Sequence, residues 1–113
     1  MSFLNHKKLI MMTIDIQEKD GGLTVTLVGR LDTPAAAKAQ ATFKELQENV
    51  DKEIILDCRQ LEYISSSGLR LFLALRKEAG IKGGRVIIKS INDDIRKVFM
   101  MTGFFNLFEI RTS

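Results

Sequence analysis

The stretch of sequence that decides the fold is Tyr63-Ile64-Ser65-Ser66-Ser67-Gly68-Leu69. An apolar strand pattern precedes it, and an apolar helix pattern starts at Leu69. A serine between a strand and a helix is a natural cap, because its oxygen accepts a hydrogen bond from the free N–H groups of the first turn. The same position tolerates a phosphate, since a helix N-terminus carries positive potential. A serine here is therefore either a cap or a phosphorylatable switch that a partner reads.

The strands are indicated by apolar residues that alternate or run together. Asp20-Gly21-Gly22 separates the first two of these segments, which predicts a hairpin. Ile54-Ile55-Leu56 in a row predicts a central strand that is covered on both faces or nearly so. The strand segments are residues 12–18, 23–28, 53–58, 85–89 and a short closing strand within the apolar patch at 104–110.

Three segments have the apolar spacing of amphipathic helices: residues 34–49, 66–78 and a segment from Asn92 to Gly103. We expect Thr33 to cap the first helix, Ala79-Gly80 to close the second and Asn92 to cap the third. The predicted order is β-β-α-β-α-β-α-β. Strands that alternate with helices predict an α/β domain, with a mixed sheet of about five strands and three main helices.

The size and composition are those of one globular domain, with 113 residues, 45% of them hydrophobic and 27% charged. We expect residues 12–113 to form this domain and residues 1–11 to be a disordered leader. The apolar run at residues 9–12 is too short for a membrane span or a signal peptide, so no membrane insertion is expected. Cys58 is the single cysteine, which suits a reducing, cytoplasmic location. The oligomeric state stays open.

Several function classes are disfavoured by what the sequence lacks. The net charge is +3, but lysines and arginines are scattered, so direct nucleic-acid binding is not expected. The sole histidine, His6, lies in the expected leader, and the serine stretch lacks the Gly-x-Ser-x-Gly elbow of serine hydrolases. No cluster has the spacing of metal ligands. We therefore expect no enzyme activity, no cofactor and no metal.

Five short segments then point to a family. They are Gly29-Arg30-Leu31-Asp32, Ile54-Ile55-Leu56-Asp57, Ser66-Ser67-Gly68-Leu69, Gly83-Gly84-Arg85-Val86, and Ile95-Arg96-Lys97-Val98-Phe99 with Thr102-Gly103-Phe104. In this order and at this spacing they resemble the anti-sigma-factor antagonists, which are built on the STAS domain. The resemblance covers residues 12–110, nearly the whole chain.

The resemblance implies a partner-binding switch. In the family, the first serine of the Ser-Ser-Gly unit is phosphorylated, and this serine is Ser66 here. The unphosphorylated protein binds an anti-sigma factor that is also a serine kinase. Phosphorylation by that kinase ends the complex, and a phosphatase acting on the phosphoserine restores it. The family aspartate beside the switch corresponds to Asp32. The expected partner surface consists of Asp32, Ser65, Ser66, Ser67, Gly68 and Arg70.

One position departs from the family pattern. Many regulated members carry an aspartate immediately before the phosphoserine, where this chain has Ser65. The change removes a negative charge and adds a hydroxyl, so Ser65 and Ser67 become fallback phosphoacceptors. It also leaves a second hypothesis open, an unregulated STAS adaptor in another assembly such as a membrane-transport complex. Asp32 is likewise either a partner contact or a turn and cap residue.

Overall fold

The computed structural model describes residues 12–48 and 51–112. Within these residues it contains one five-stranded sheet, in the order β1-β2-β3-β4-β5, and three α-helices. The predicted α/β class and element order are confirmed, whereas the predicted leader lies outside the described residues. The elements are β1 Thr13–Lys19, β2 Gly22–Leu31, α1 Thr33–Gln47, β3 Glu53–Ile64, α2 Ser66–Lys82, β4 Arg85–Lys89, α3 Asp93–Thr102, a 3-10 turn Phe104–Asn106 and β5 Glu109–Arg111.

Strands β1 and β2 form the predicted antiparallel hairpin, with Lys19 opposite Gly22. The two residues between them, Asp20 and Gly21, have positive φ angles of 53° and 81°. Such a two-residue turn has the twist that matches paired strands. From β2 onward each strand is parallel to its neighbour in the sheet. The carboxyl ends of β2 and β3 therefore lie at the same edge of the sheet.

Strand β3 is longer than its apolar pattern predicts. The expected strand covered residues 53–58, but β3 spans Glu53–Ile64. Its pairing with β2 shifts register twice, so β3 bulges and its alternation of buried and exposed residues is lost. Asp57 lies well inside the longer strand and accepts a hydrogen bond from the Arg59 N–H at 3.1 Å. The bulges carry the chain to Ile64, directly before the serine stretch.

The core lies between one face of the sheet and the helices. The β2–β3 register places the fully buried Val25 beside Leu56, and these residues share one cluster with the helices. Helices α1 and α2 meet through the stacked rings of Phe43 and Phe72, whose centroids are 5.8 Å apart. Phe99 of α3 is fully buried in the same cluster. These contacts hold α1 and α2 side by side against the sheet.

The ends of α1 and α2 differ from the predicted ones. Helix α1 begins at Thr33 with Asp32 as its cap, so the prediction of a Thr33 cap is wrong. Helix α2 runs past Gly80 to Lys82 and ends at Gly83, which adopts a left-handed φ of 83°. Gly83 N–H bonds to the Ala79 carbonyl, as in a left-handed helix cap. A glycine thus ends α2 as expected, but three residues later in the chain than Gly80.

The third helix begins as predicted, and the chain after it is less regular. Asn92 caps α3, and Gly103, at φ 80°, ends it. The residues after it were expected to form a closing strand in an apolar patch. The first of them form the 3-10 turn Phe104–Asn106, Phe108 packs against Phe99 at a centroid distance of 6.0 Å, and the predicted short closing strand follows as β5. The strand that remains, β5, is only three residues long.

Candidate partner-binding site

The serine stretch and Asp32 are neighbours because β2 and β3 end together. Leu31 and Ile64 are the last paired residues of these parallel strands. The Leu31 carbonyl accepts a hydrogen bond from the Ser65 N–H at 2.9 Å. Parallel strands present the residues that follow them at one edge of a sheet. The start of α1 and the start of α2 therefore lie side by side at this edge.

Ser65, and not Ser66, is the cap of α2. Ser65 has an extended backbone, and its Oγ accepts a hydrogen bond from the Gly68 N–H at 3.2 Å. The residue is only 7% exposed, so its hydroxyl is both buried and engaged. The alternative in which Ser66 is the cap is wrong. Ser66 is the first residue of α2 and is exposed, whereas Ser67 is half-buried.

Asp32 plays the corresponding role at α1. Its Oδ1 accepts a hydrogen bond from the Ala35 N–H at 3.0 Å, so the cap interpretation of this residue is confirmed. A carboxylate at a helix N-terminus is also electrostatically favourable. The residue is half-buried, and its place beside the start of α2 leaves part of the side chain at the surface of the site.

Gly68 supports the site from below and does not form part of its surface. The residue is buried, and a Cβ at this position would lie 2.8 Å from Cγ of Leu31 and 2.9 Å from Cγ1 of Ile64. Such contacts are too close for any side chain, so glycine allows the first turn of α2 to rest directly on the ends of β2 and β3. The expected contact between Gly68 and a partner therefore stays a prediction, and the structure gives the residue a packing role.

A shallow groove runs between the first turns of α1 and α2. Its volume is about 260 Å³, and Arg70 is the charged residue of its lining. The floor is made by small side chains of α1, because the alanine-rich start of this helix lies close to α2. The lining consists of Thr33, Ala36, Ala37, Gln40, Ser67, Arg70 and Leu71. The sequence predicted Arg70 and Ser67 as surface residues of the site but not the α1 side of the groove. The run of alanines at the start of α1 is the signal that could have indicated it, because small side chains let two helices approach closely.

The sequence also did not predict a cation–π pair just before the ends of β2 and β3. The Arg30 guanidinium sits over the ring of Tyr63, 4.4 Å from its centroid. Both residues are exposed, and they are paired in the β2–β3 register. A cation–π contact at an exposed site is worth about 0.5–1 kcal/mol. The pair thus lies at the surface beside the serine stretch.

Outside the serine stretch, three further features bear on function: the single cysteine, possible metal ligands and possible membrane spans. Cys58 is fully buried, and burial, with a smaller effect from the charge of Asp57, raises the pKa of its thiol far above the ordinary value. The thiol therefore stays protonated and unreactive in the folded protein. Within the described residues, no three His, Cys, Asp or Glu side chains are grouped so that they could hold a metal ion. No helix in that part of the chain is long and apolar enough to cross a membrane.

Both the sequence and the fold of this chain are similar to those of known proteins. The family model described as the STAS domain matches residues 13–113. A relative from Bordetella bronchiseptica, named as the anti-sigma factor antagonist BtrV, is 28% identical over 102 residues, which is 90% of this chain and 88% of the relative. The unphosphorylated form of the anti-sigma factor antagonist SpoIIAA superposes with a TM-score of 0.68 at 23% identity, covering 89% of this chain and 88% of that one. The phosphorylated form of Bacillus SpoIIAA gives a TM-score of 0.66 at 25% identity, covering 87% and 90%.

Proposed function

Because the chain belongs to the STAS domain family, we propose that it is an anti-sigma-factor antagonist. In this proposal it binds an anti-sigma factor with serine kinase activity while Ser66 is unphosphorylated. The observation that carries the proposal is the exposure of Ser66 at the first position of α2, with the neighbouring Ser65 supplying the cap. The names of the relatives, and the existence of a phosphorylated form of SpoIIAA, support the same function.

Ser65 caps α2 and Ser66 is the proposed phosphoacceptor, so phosphorylation is compatible with the fold. Ser65 holds the cap hydrogen bond to Gly68, so a phosphate on Ser66 leaves this bond intact. A phosphate adds about −1.5 to −2 charge, which the positive end of a helix tolerates. We therefore expect phosphorylation to leave the domain folded and to act at the interface with the partner.

At that interface the phosphate opposes binding. A doubly charged, strongly hydrated group in a packed contact must lose water, and acidic groups of the partner would repel it. A penalty of about 3 kcal/mol lowers affinity roughly a hundredfold. The partner surface that we propose consists of the exposed Ser66 and Arg70 with the half-buried Asp32 and Ser67. Ser65 and Gly68 position this surface from inside.

The proposed cycle has two enzymes that act on this protein. The anti-sigma factor phosphorylates Ser66 and releases the antagonist, and a phosphatase removes the phosphate and restores binding. Of the fallback acceptors, Ser65 is buried with its Oγ occupied, and Ser67 is half-buried. Their placement favours Ser66 as the acceptor. Such a cycle operates in the cytoplasm, where a sigma factor and its regulators meet.

The position before Ser66 favours a second candidate. Ser65 gives the site no negative charge where many regulated family members carry an aspartate, and an unregulated adaptor has no need of a kinase-recognition feature. Such an adaptor would bind its partner through the same surface without phosphorylation. The two candidates differ in one measurable property, which is whether a negative charge at Ser66 changes binding.

The test is a pull-down from a lysate of the source cell. Four immobilised baits are compared: the wild type, Ser66→Ala, Ser66→Asp and Ser66→Asn. Asparagine is a neutral side chain of the same size as aspartate, so it separates charge from bulk. We expect the wild type, Ser66→Ala and Ser66→Asn to retain an anti-sigma factor with a kinase domain, and Ser66→Asp to lose it. The captured kinase, given ATP, should phosphorylate the wild type but not Ser66→Ala, with the phosphate located by mass spectrometry.

Two outcomes would overturn the proposal. Retention of the same partner by all four baits would show that charge at Ser66 does not matter, as for an unregulated adaptor. Phosphorylation of Ser66→Ala to the same extent as the wild type would show that Ser66 is not the acceptor.

A further inference from the structure

Arg70 is placed where a phosphate on Ser66 can reach it. Both residues are exposed, and they lie four positions apart at the start of α2. Side chains at this spacing are neighbours on a helix surface, with about 5–6 Å between Cβ atoms. A negative group four positions before a positive one is also the favourable order for an ion pair on a helix. The Ser66 side chain is neutral before phosphorylation, so the pair arises only afterwards.

Arg70 also belongs to the groove between α1 and α2. It provides the charge in a lining whose other members are small, polar or apolar, among them Ala36, Ala37 and Leu71. A small apolar floor beside a guanidinium is complementary to a partner segment that carries an apolar side chain next to a carboxylate. Arginine suits such a contact because its planar fork can bond a carboxylate or a phosphate through two parallel hydrogen bonds.

We propose that Arg70 serves two acidic groups in turn: a carboxylate of the partner while Ser66 is unphosphorylated, and the Ser66 phosphate afterwards. This inference rests on the proposed function and adds a second effect to the modification. Phosphorylation then places an unfavourable charge at the interface and also draws the groove's cation away from the partner. The phosphate competes for Arg70 because it is attached to the same helix, whereas the partner must bind from solution.

The ion pair can be tested without any partner. Phosphoserine is incorporated at position 66, and the second ionisation of the phosphate is followed by ³¹P NMR in the wild type, Arg70→Gln and Lys77→Gln. Lys77 is an exposed cation of the same helix, so Lys77→Gln removes an equal charge about three turns away from the phosphate.

We expect Arg70 to lower the pKa of the phosphate. An exposed pair at this spacing contributes about 0.3–0.5 kcal/mol, which corresponds to a pKa lower by about 0.2–0.4 in the wild type than in Arg70→Gln. Lys77→Gln should give the wild-type value. An equal pKa in the wild type and Arg70→Gln would overturn the proposal.

The departure of Arg70 from the groove is tested by the amide signals of α1. Ala37 and Gln40 line the groove from α1, on the side opposite Arg70. Their ¹⁵N–¹H chemical shifts should change more on phosphorylation in the wild type than in Arg70→Gln. Equal changes in both proteins would refute the sharing of Arg70. These outcomes do not depend on the pull-down, so the proposed function and this inference can fail separately.

Discussion

Two glycines of α2 allow the close contact beneath the serine stretch to be tested. Alanine is a better helix former than glycine by about 1 kcal/mol in a helix interior. At Gly80 a Cβ would meet no atom within 4 Å, so Gly80→Ala should stabilise the protein by about 0.5–1 kcal/mol. At Gly68 the Cβ would lie 2.8 Å from Cγ of Leu31 and 2.9 Å from Cγ1 of Ile64.

The contacts at Gly68 decide the sign of that substitution. Leu31 is fully buried and Ile64 is 3% exposed, and the crowded atoms are next to their Cβ atoms, so neither side chain can turn away. Overpacking of a core costs about 1–3 kcal/mol. After the helix-propensity gain is subtracted, we expect Gly68→Ala to be less stable than the wild type by up to about 2 kcal/mol. Because the propensity gain is common to both, the two alanine variants should differ by the overpacking cost, about 1–3 kcal/mol.

Urea unfolding followed by far-ultraviolet circular dichroism measures this difference. The midpoint of Gly68→Ala should fall and that of Gly80→Ala should rise, with the same dependence on urea in both, since the surface exposed on unfolding is unchanged. Gly80→Ala is the control for helix propensity alone. If Gly68→Ala is as stable as Gly80→Ala, the first turn of α2 does not rest on the ends of β2 and β3.

Three further predictions concern caps and the buried thiol. Ser65→Ala should lower the free energy of unfolding by about 1 kcal/mol and Ser66→Ala by less than about 0.5 kcal/mol, because only the first removes a cap; urea unfolding measures both. Asn92→Asp keeps a cap for α3 but replaces the Nδ2 donor to the Leu61 carbonyl, 3.2 Å away, with an oxygen. We expect the free energy of unfolding to fall by about 1–2 kcal/mol. A variant as stable as the wild type would contradict a role for this hydrogen bond. Cys58 should react with a thiol reagent only after unfolding. The pKa of its thiol is raised above 9.0 in the folded protein, so its contribution to stability is complete at about pH 8 and declines as the pH rises above about 9. The urea midpoint should therefore fall between about pH 8 and about pH 10, and Cys58→Ala should reduce that fall.

Much of the fold follows from local patterns. The alternation of Leu23, Val25 and Leu27 marks the buried face of β2 whatever strand pairs with it. Asn92 and Gly103 mark the two ends of α3, because a cap and a left-handed glycine act within one turn of the helix they delimit. The end of β3 had no such signal, since its two bulges interrupt the period-two pattern on which strand prediction depends.

In the candidate site, too, some features follow from the local sequence and others depend on the tertiary structure. Local chemistry indicates that a serine caps α2, but Ser65, Ser66 and Ser67 are equivalent candidates in that respect. The choice of Ser65 comes from the end of β3 beside β2, where the Leu31 carbonyl bonds to the Ser65 N–H. That bond joins residues far apart in the sequence, as do the contacts that form the groove around Arg70. Caps and alternation depend on a few adjacent residues and can be read locally, whereas register and contacts between helices exist only after the sheet has brought distant residues together.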